Sequence, residues 1–240
     1  MSINNDVNLL NKKIVYDLTP FSHLDYKDHL SCIVWLSGCN MRCDYCYNKD
    51  IVFAKNGKIT FNEVLSFLDT RVNLLDAVVL SGGEATNHNL IPFCKKIKNN
   101  GFKIKLDTNG INFEHIKELL DLDLLDYISL DYKAPKYKFE QITHTTISSF
   151  NKFKQTLSYL IKIKFNFEIR TTVHADLINE DDINYIINDL VREKYKGDYS
   201  LQNFLETDEN IGNIKSSNKK LNLDKIQDKN GSIDIQYRNY

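Results

Sequence analysis

Apolar and polar positions along this chain fall into two alternating rhythms. Short apolar runs of strand length are followed by stretches with apolar residues at helical spacing. Strands are predicted over Ser31–Leu36, Ala77–Leu80, Phe102–Leu106, Tyr127–Leu130, Phe165–Val173 and Ser200–Phe204. Helices are predicted over Phe61–Asp69, Leu90–Asn99, Phe113–Leu120, Phe150–Ile163 and Asp181–Glu193. Repeated strand–helix units imply a parallel sheet with right-handed crossovers. About six such units are too few for a closed eightfold barrel, so the fold class expected is α/β, a partial (β/α)6 barrel open on one side. The main domain is read as residues 1–206. Residues 207–240 are polar and weakly patterned, and read as an appendage: a hairpin, a partner-contacting element or partial disorder.

The unusual polar clusters all fall just after a predicted strand. In parallel α/β folds, chemistry sits at the carboxyl ends of the strands. Those clusters are Ser81-Gly82-Gly83-Glu84, Asp107-Thr108-Asn109-Gly110 and Asp131-Tyr132-Lys133. A fourth set is Arg170 and Thr172 on one face of a strand, with His174 at its end and Gln202-Asn203 after the next.

Composition changes this picture little. A net charge of -1 over 240 residues gives no electrostatic case for a nucleic-acid partner. No apolar run is long enough to span a bilayer, and the start lacks a secretory leader's apolar core, so a cytoplasmic location without a membrane partner is expected. The five cysteines do matter. An odd number in a reducing compartment argues against a disulfide framework. Cys32 falls inside a strand and Cys94 inside a helix, as small core residues do.

Cys39, Cys43 and Cys46 are different. They form C-x3-C-x2-C in a loop, residues 37–48, after the first strand. Three thiolates this close suit one soft metal centre. A closed zinc site needs four ligands, and no second Cys-x2-Cys or His-x3-His partner stands nearby. Three ligands on a four-iron cluster leave one iron open for a substrate. A zinc site with a distant fourth ligand, and cysteines that meet only by chance, are the other readings of the same spacing.

The triplet, with the aromatic Tyr45 just before its last cysteine, resembles the signature of the radical S-adenosylmethionine (SAM) superfamily, over roughly residues 13–206. The resemblance implies a [4Fe–4S] cluster on the three cysteines. SAM would chelate the open iron and be cleaved by one electron to methionine and a 5′-deoxyadenosyl radical. Cluster and SAM would carry the chemistry, so no side chain is expected to be catalytic in its own right. The resemblance assigns Gly82, Gly83 and Glu84 to the SAM amino group. Asp107, Thr108 and Asn109 suit the ribose hydroxyls, though Asn109 or Asn112 could equally cap the next helix. Lys133 and Arg170 suit the SAM carboxylate, unless Asp131 and Lys133 are only a surface ion pair. Acids at Asp107 and Asp131 are implied to help hold a monovalent cation. Tyr45, Gln202 and Asn203 are expected near adenine. His174 is a weaker candidate, because a lone histidine is more often structural.

The entry segment from Thr19 to Tyr26, together with CIVWLSGCNMRCDYCYN, LSGGEAT, DTNG, LDYKAP and EIRTTV, is similar to activating proteins of anaerobic ribonucleoside-triphosphate reductase, in their longer variant. That resemblance implies a glycyl-radical enzyme as partner and a flavodoxin- or ferredoxin-like electron donor. Tyr47 stands where a histidine is common and Asp44 where a proline is common. The alternatives are a small-molecule enzyme like 7-carboxy-7-deazaguanine synthase and a non-catalytic iron–sulfur or zinc module.

Overall fold

A computed structural model of the chain describes residues 7–228 and 231–240. The reading of the leader at the first six positions lies outside them. The chain divides into two compact units. The first gathers residues up to Asn40, with Asp50–Thr108 and Glu114–Ile128; the second gathers Met41–Lys49, Asn109–Phe113 and Ser129–Tyr240.

In the first unit the strands are β1 (Lys13–Ser22), β2 (Ser31–Leu36), β3 (Ile59–Thr60), β4 (Ala77–Gly82) and β5 (Lys103–Thr108), in the order β3-β1-β2-β4-β5. β2, β4 and β5 are parallel, with Leu36 opposite Gly82 and Leu80 opposite Leu106. β4 begins with four fully buried residues, Ala77, Val78, Val79 and Leu80. Such an unbroken apolar run marks a parallel strand covered on both faces. Helices α1 (Lys49–Phe53), α2 (Phe61–Asp69), α3 (Ile91–Asn99) and α4 (Phe113–Asp121) complete this part of the chain. Thr60 and Glu63 form a reciprocal capping box that starts α2. Phe61 of α2 stacks on Phe93 of α3 at 4.0 Å. Cys32 and Cys94 are wholly buried core residues.

In the second unit β7 (Phe167–Val173), β8 (Gly197–Asn203) and β9 (Ile233–Arg238) are parallel, with Thr172 opposite Gln202 and Gln202 opposite Arg238. Strand β6 (Tyr127–Asp131) begins at the end of one unit's sequence and finishes in the other's. Helices α5 (Phe139–Thr143), α6 (Ile147–Ile163) and α7 (Glu180–Arg192) follow it in the chain. α7 opens on an Asn179–Asp182 capping box. The buried ring of Tyr132 rests against Phe153 of α6, and its hydroxyl donates to Asp189 of α7 at 2.9 Å.

The strand and helix expectations hold in outline; the short elements β3, α1 and α5 were not anticipated, β7 begins at Phe167 and β8 at Gly197, and further differences follow. Helix α6 begins at Ile147 rather than Phe150, from Thr146 as its N-cap. β1 was not anticipated: its burial is irregular and its antiparallel pairing with β2 carries register shifts. The tail contains β9, whose signal was present, since Ile233, Ile235 and Tyr237 alternate with Asp234, Gln236 and Arg238. Among the described residues no helix is long and apolar enough to cross a membrane.

Candidate active site

The glycine turn after β4 shows why its residues are glycines. A Cβ on Gly82 would lie 2.4 Å from the backbone nitrogen of Leu36, and Gly82 also has φ +116. A Cβ on Gly83 would lie 2.1 Å from the carbonyl oxygen of Gly38. The space beside this turn is therefore filled by the backbone leading into Cys39. Gly83 N donates to Leu36 O at 2.9 Å, and Glu84 N donates to Gly38 O at 2.9 Å. His88 fastens the same place, its Nε2–H donating to Ser37 O at 2.7 Å. Glu84 is only 2% exposed. Its Oε1 accepts from Thr86 Oγ1 at 2.5 Å and from Thr108 Oγ1 at 2.7 Å, tying the turn to the end of β5. Its carboxylate thus helps order the turn.

Asp107 sits on the same face of β5 as Lys105. It accepts from Lys105 Nζ at 2.8 Å and from Ser81 Oγ at 3.1 Å. Lys105 is 3% exposed, a buried cation that sequence reading passed over. Asn109 Oδ1 accepts from Ile111 N at 3.1 Å, a local turn bond of the kind that competes with a ligand role.

Cys39 belongs to the first unit, Cys43 and Cys46 to the second. All three are thiols, with Cys43 buried and the others partly exposed. Gly38 N donates to Ile51 O at 2.8 Å. In the second unit, Arg42 N donates to Thr143 O at 2.9 Å and Asp44 N to Ile142 O at 3.1 Å, so the end of α5 holds this stretch. The tail holds it as well: Gly212 N donates to Asp44 O at 2.8 Å and Ile211 N to Cys46 O at 3.0 Å. The Asp44 carboxylate pairs with His144 at 2.7 Å, which accounts for an acid at that position.

The other predicted groups of the second unit converge on Asp131. Lys133 Nζ reaches its Oδ2 at 2.9 Å and Arg170 Nε its Oδ1 at 3.0 Å. Side-chain exposures of 20% for Asp131 and Lys133 and 14% for Arg170 rule out a loose surface pair. Burial works against the charge on Lys133. The Asp131 carboxylate, with Tyr45 and Cys43 behind it, outweighs burial and holds the ammonium pKa well above its ordinary value. The buried Tyr45 hydroxyl donates to the Lys133 carbonyl at 3.1 Å, and burial above all pushes its pKa up. Gln202 lies at the end of β8, opposite Thr172. Both ring nitrogens of His174 serve the backbone: Nε2–H donates to Lys215 O at 2.7 Å and Nδ1 accepts from Asp176 N at 3.3 Å.

One buried cluster escaped sequence reading. Glu168, 5% exposed, accepts from Ser129 Oγ at 2.6 Å, Ser200 Oγ at 3.3 Å and Arg238 Nη2 at 2.9 Å. Alternation with Arg170 along β7 was the available signal.

Among the described residues no three His, Cys, Asp or Glu side chains are gathered for a single metal ion. An iron–sulfur cluster is a different case, since its thiolate ligands are spaced by the body of the cluster itself. The donor set suits it in its chemistry: three cysteine thiols within eight residues of one loop.

Comparison with known proteins bears on the same residues. The family model described as the radical SAM superfamily matches residues 33–207. A protein of Methanocaldococcus jannaschii that carries the provisional name glycyl-radical enzyme activating enzyme is 33% identical over 177 residues, covering 72% of this chain and 73% of its own. The pyruvate formate-lyase-activating enzyme of Streptococcus mutans is 32% identical over 115 residues, covering 42% of this chain and 43% of its own. Among solved structures, Streptococcus suis SuiB bound to S-adenosylmethionine superposes with a TM-score of 0.66 at 13% identity, covering 86% of this chain. This chain spans 49% of that one, about half its length. The likeness shows the fold: an α/β partial barrel of this type, open on one side, as the strand–helix pattern anticipates.

Proposed function

This chain belongs to the radical SAM superfamily and, within it, to the glycyl-radical enzyme activating enzymes, and from there we propose that it generates a glycyl radical on anaerobic ribonucleoside-triphosphate reductase. The family's cofactors are a [4Fe–4S] cluster and SAM. Cys39, Cys43 and Cys46 would hold the cluster. Bound there, cluster and SAM supply a one-electron cleavage whose product abstracts a hydrogen atom.

One observation carries the reading. The backbone of the cysteine stretch is fastened at Gly38, Arg42, Asp44 and Cys46 by neighbouring elements, while its three cysteines remain thiols. A backbone held this way would let the three sulfurs be offered to one cluster, Cys43 from a buried position. Around it, Lys133 and Arg170 would meet the SAM carboxylate, and the backbone of Gly82 and Gly83 the ammonium. Asp107, Thr108 and Asn109 would face the ribose, and Tyr45 and Gln202 the adenine. His174 acts at one remove, by fixing Lys215. A monovalent cation at Asp107 and Asp131 would share them with Lys105, Lys133 and Arg170.

Iron and sulfide analysis after anaerobic reconstitution tests the ligand set. Cys39→Ala, Cys43→Ala and Cys46→Ala each lose the cluster, while Cys32→Ala and Cys94→Ala keep it. Cluster loss in the Cys94 variant would sink the three-ligand assignment.

A further inference from the structure

Glu168 and Arg170 stand two residues apart on β7, on one face of the strand. That spacing is about 6.6 Å along the strand, well within the reach of an arginine side chain. Glu168 is buried, and a buried carboxylate without a cation is costly. Arg170 could serve it, and would then leave Asp131. In the structure it does not: Arg170 is bound to Asp131 at 3.0 Å, and Glu168 takes its cation from Arg238 at 2.9 Å. Arg238 comes from the far end of the chain. It ends β9, lies opposite Gln202 of β8, and reaches past β8 to Glu168 on β7. Ser129 and Ser200 supply the remaining donors and carry no charge.

We propose that Arg238 is a positioning residue of the SAM site: by neutralising Glu168 it keeps Arg170 directed at Asp131, beside Lys133, where a carboxylate ligand would be received. The proposal rests on the reading of Arg170 as a SAM contact. It gives the tail a task that an appendage would not have. β9 supplies the cation for buried Glu168, so that Arg170 stays on Asp131 beside Lys133.

The experiment is SAM affinity, measured by anaerobic equilibrium binding on cluster-loaded protein, with iron content checked for every variant. Arg238→Gln weakens SAM binding about tenfold, because Glu168 then draws Arg170 away. Arg238→Lys keeps the charge and stays within about threefold of the parent. The double variant Arg238→Gln with Glu168→Gln also returns to within about threefold, since no buried carboxylate is left to recruit Arg170. If Arg238→Gln alone fails to fold, the double variant decides, and the proposal requires it to fold and bind. Parental affinity in Arg238→Gln overturns the proposal. So does a double variant as weak as the single one, which would mean that Arg238 only packs β9. Arg170→Ala separates the two levels: unchanged affinity there removes the SAM reading of Arg170 itself, whereas a loss there with no effect of Arg238→Gln removes only this proposal.

Discussion

Two regions far apart in sequence grip the same cysteine stretch, and they do it differently. The glycine turn at Gly82-Gly83-Glu84 meets the chain at Leu36 and Gly38, backbone against backbone, where even one methyl group has no room. The tail meets it at Asp44 and Cys46, through two amides of Ile211 and Gly212. Here a Cβ on Gly212 would lie 2.8 Å from the Asp44 Cβ and 2.9 Å from the Asp44 carbonyl oxygen. The turn follows directly from a strand and is written as a motif. The tail contact is held by distant and individually ordinary bonds: Asn210 to Ile214, Glu206 to Ser216 and His174 to Lys215. The first grip is made by a strand-end turn, backbone against backbone; the second depends on side-chain bonds that shape the tail around it.

The comparison breaks most sharply at Gly83. In Gly83→Ala the clash is with a backbone carbonyl that has nowhere to go, so the entry to Cys39 must move. The expected cost exceeds about 3 kcal/mol, and cluster assembly is lost. Urea unfolding of the protein before reconstitution, followed by iron analysis, measures both. Wild-type behaviour would show that the turn is not the close grip described.

Gly212→Ala is the matching change in the tail. Gly212 lies in a segment outside the strands that can shift, so a cost of about 1–2 kcal/mol is expected, with the cluster still assembled. Amide hydrogen exchange at Ile211 and Gly212, whose N–H groups make the bonds to Cys46 and Asp44, should quicken while exchange at Gly83 and Glu84 stays as it was. Equal quickening at both places would erase the distinction between the two grips.

The smallest effect separates them by pH. His88 and His115 both have lowered pKa values, chiefly through burial, from an ordinary value of 6.5. Each binds a proton more weakly folded than unfolded. As pH falls through that value the unfolded chain takes up more protons, and stability falls with it; above that window neither histidine costs anything. His88 is bonded to Ser37 O, and His115 Nε2 accepts from Leu90 N at 3.2 Å, which requires its neutral form. The urea midpoint should therefore be lower at pH 5.5 than at pH 7.5, and the gap should narrow in His88→Gln. A gap unchanged by that substitution would remove His88 from the account.

What sequence reading could see follows from the same contrast. Strand ends carrying Gly-Gly, Asp-Thr-Asn and Asp-Tyr-Lys stand out because such residues are out of place beside apolar runs like Ala77–Leu80. The cysteine triplet stands out by spacing alone. Burial and alternation then placed Lys133 and Arg170 on Asp131, as the pattern had put Asp131 and Lys133 on one side. The supports were harder to read. Glu168 and Arg238 are separated by 70 positions and meet only once β8 and β9 have paired. His88 is an ordinary histidine until it reaches Ser37. Glu84 was expected to face a ligand; the bonds its Oε1 accepts from Thr86 and Thr108 are a further use that no spacing rule reveals. Local chemistry leaves a local trace, whereas a grip made by folding leaves none.

The central claim is that this loop, held at both ends, serves to place a radical on a partner's glycine. Electron paramagnetic resonance of the protein mixed anaerobically with the cognate anaerobic ribonucleotide reductase, SAM and reductant tests it most directly. The account predicts a glycyl-type doublet on the reductase that disappears when Cys43→Ala replaces the parent. No such signal on any glycyl-radical enzyme, together with turnover of a small purine precursor, would contradict it.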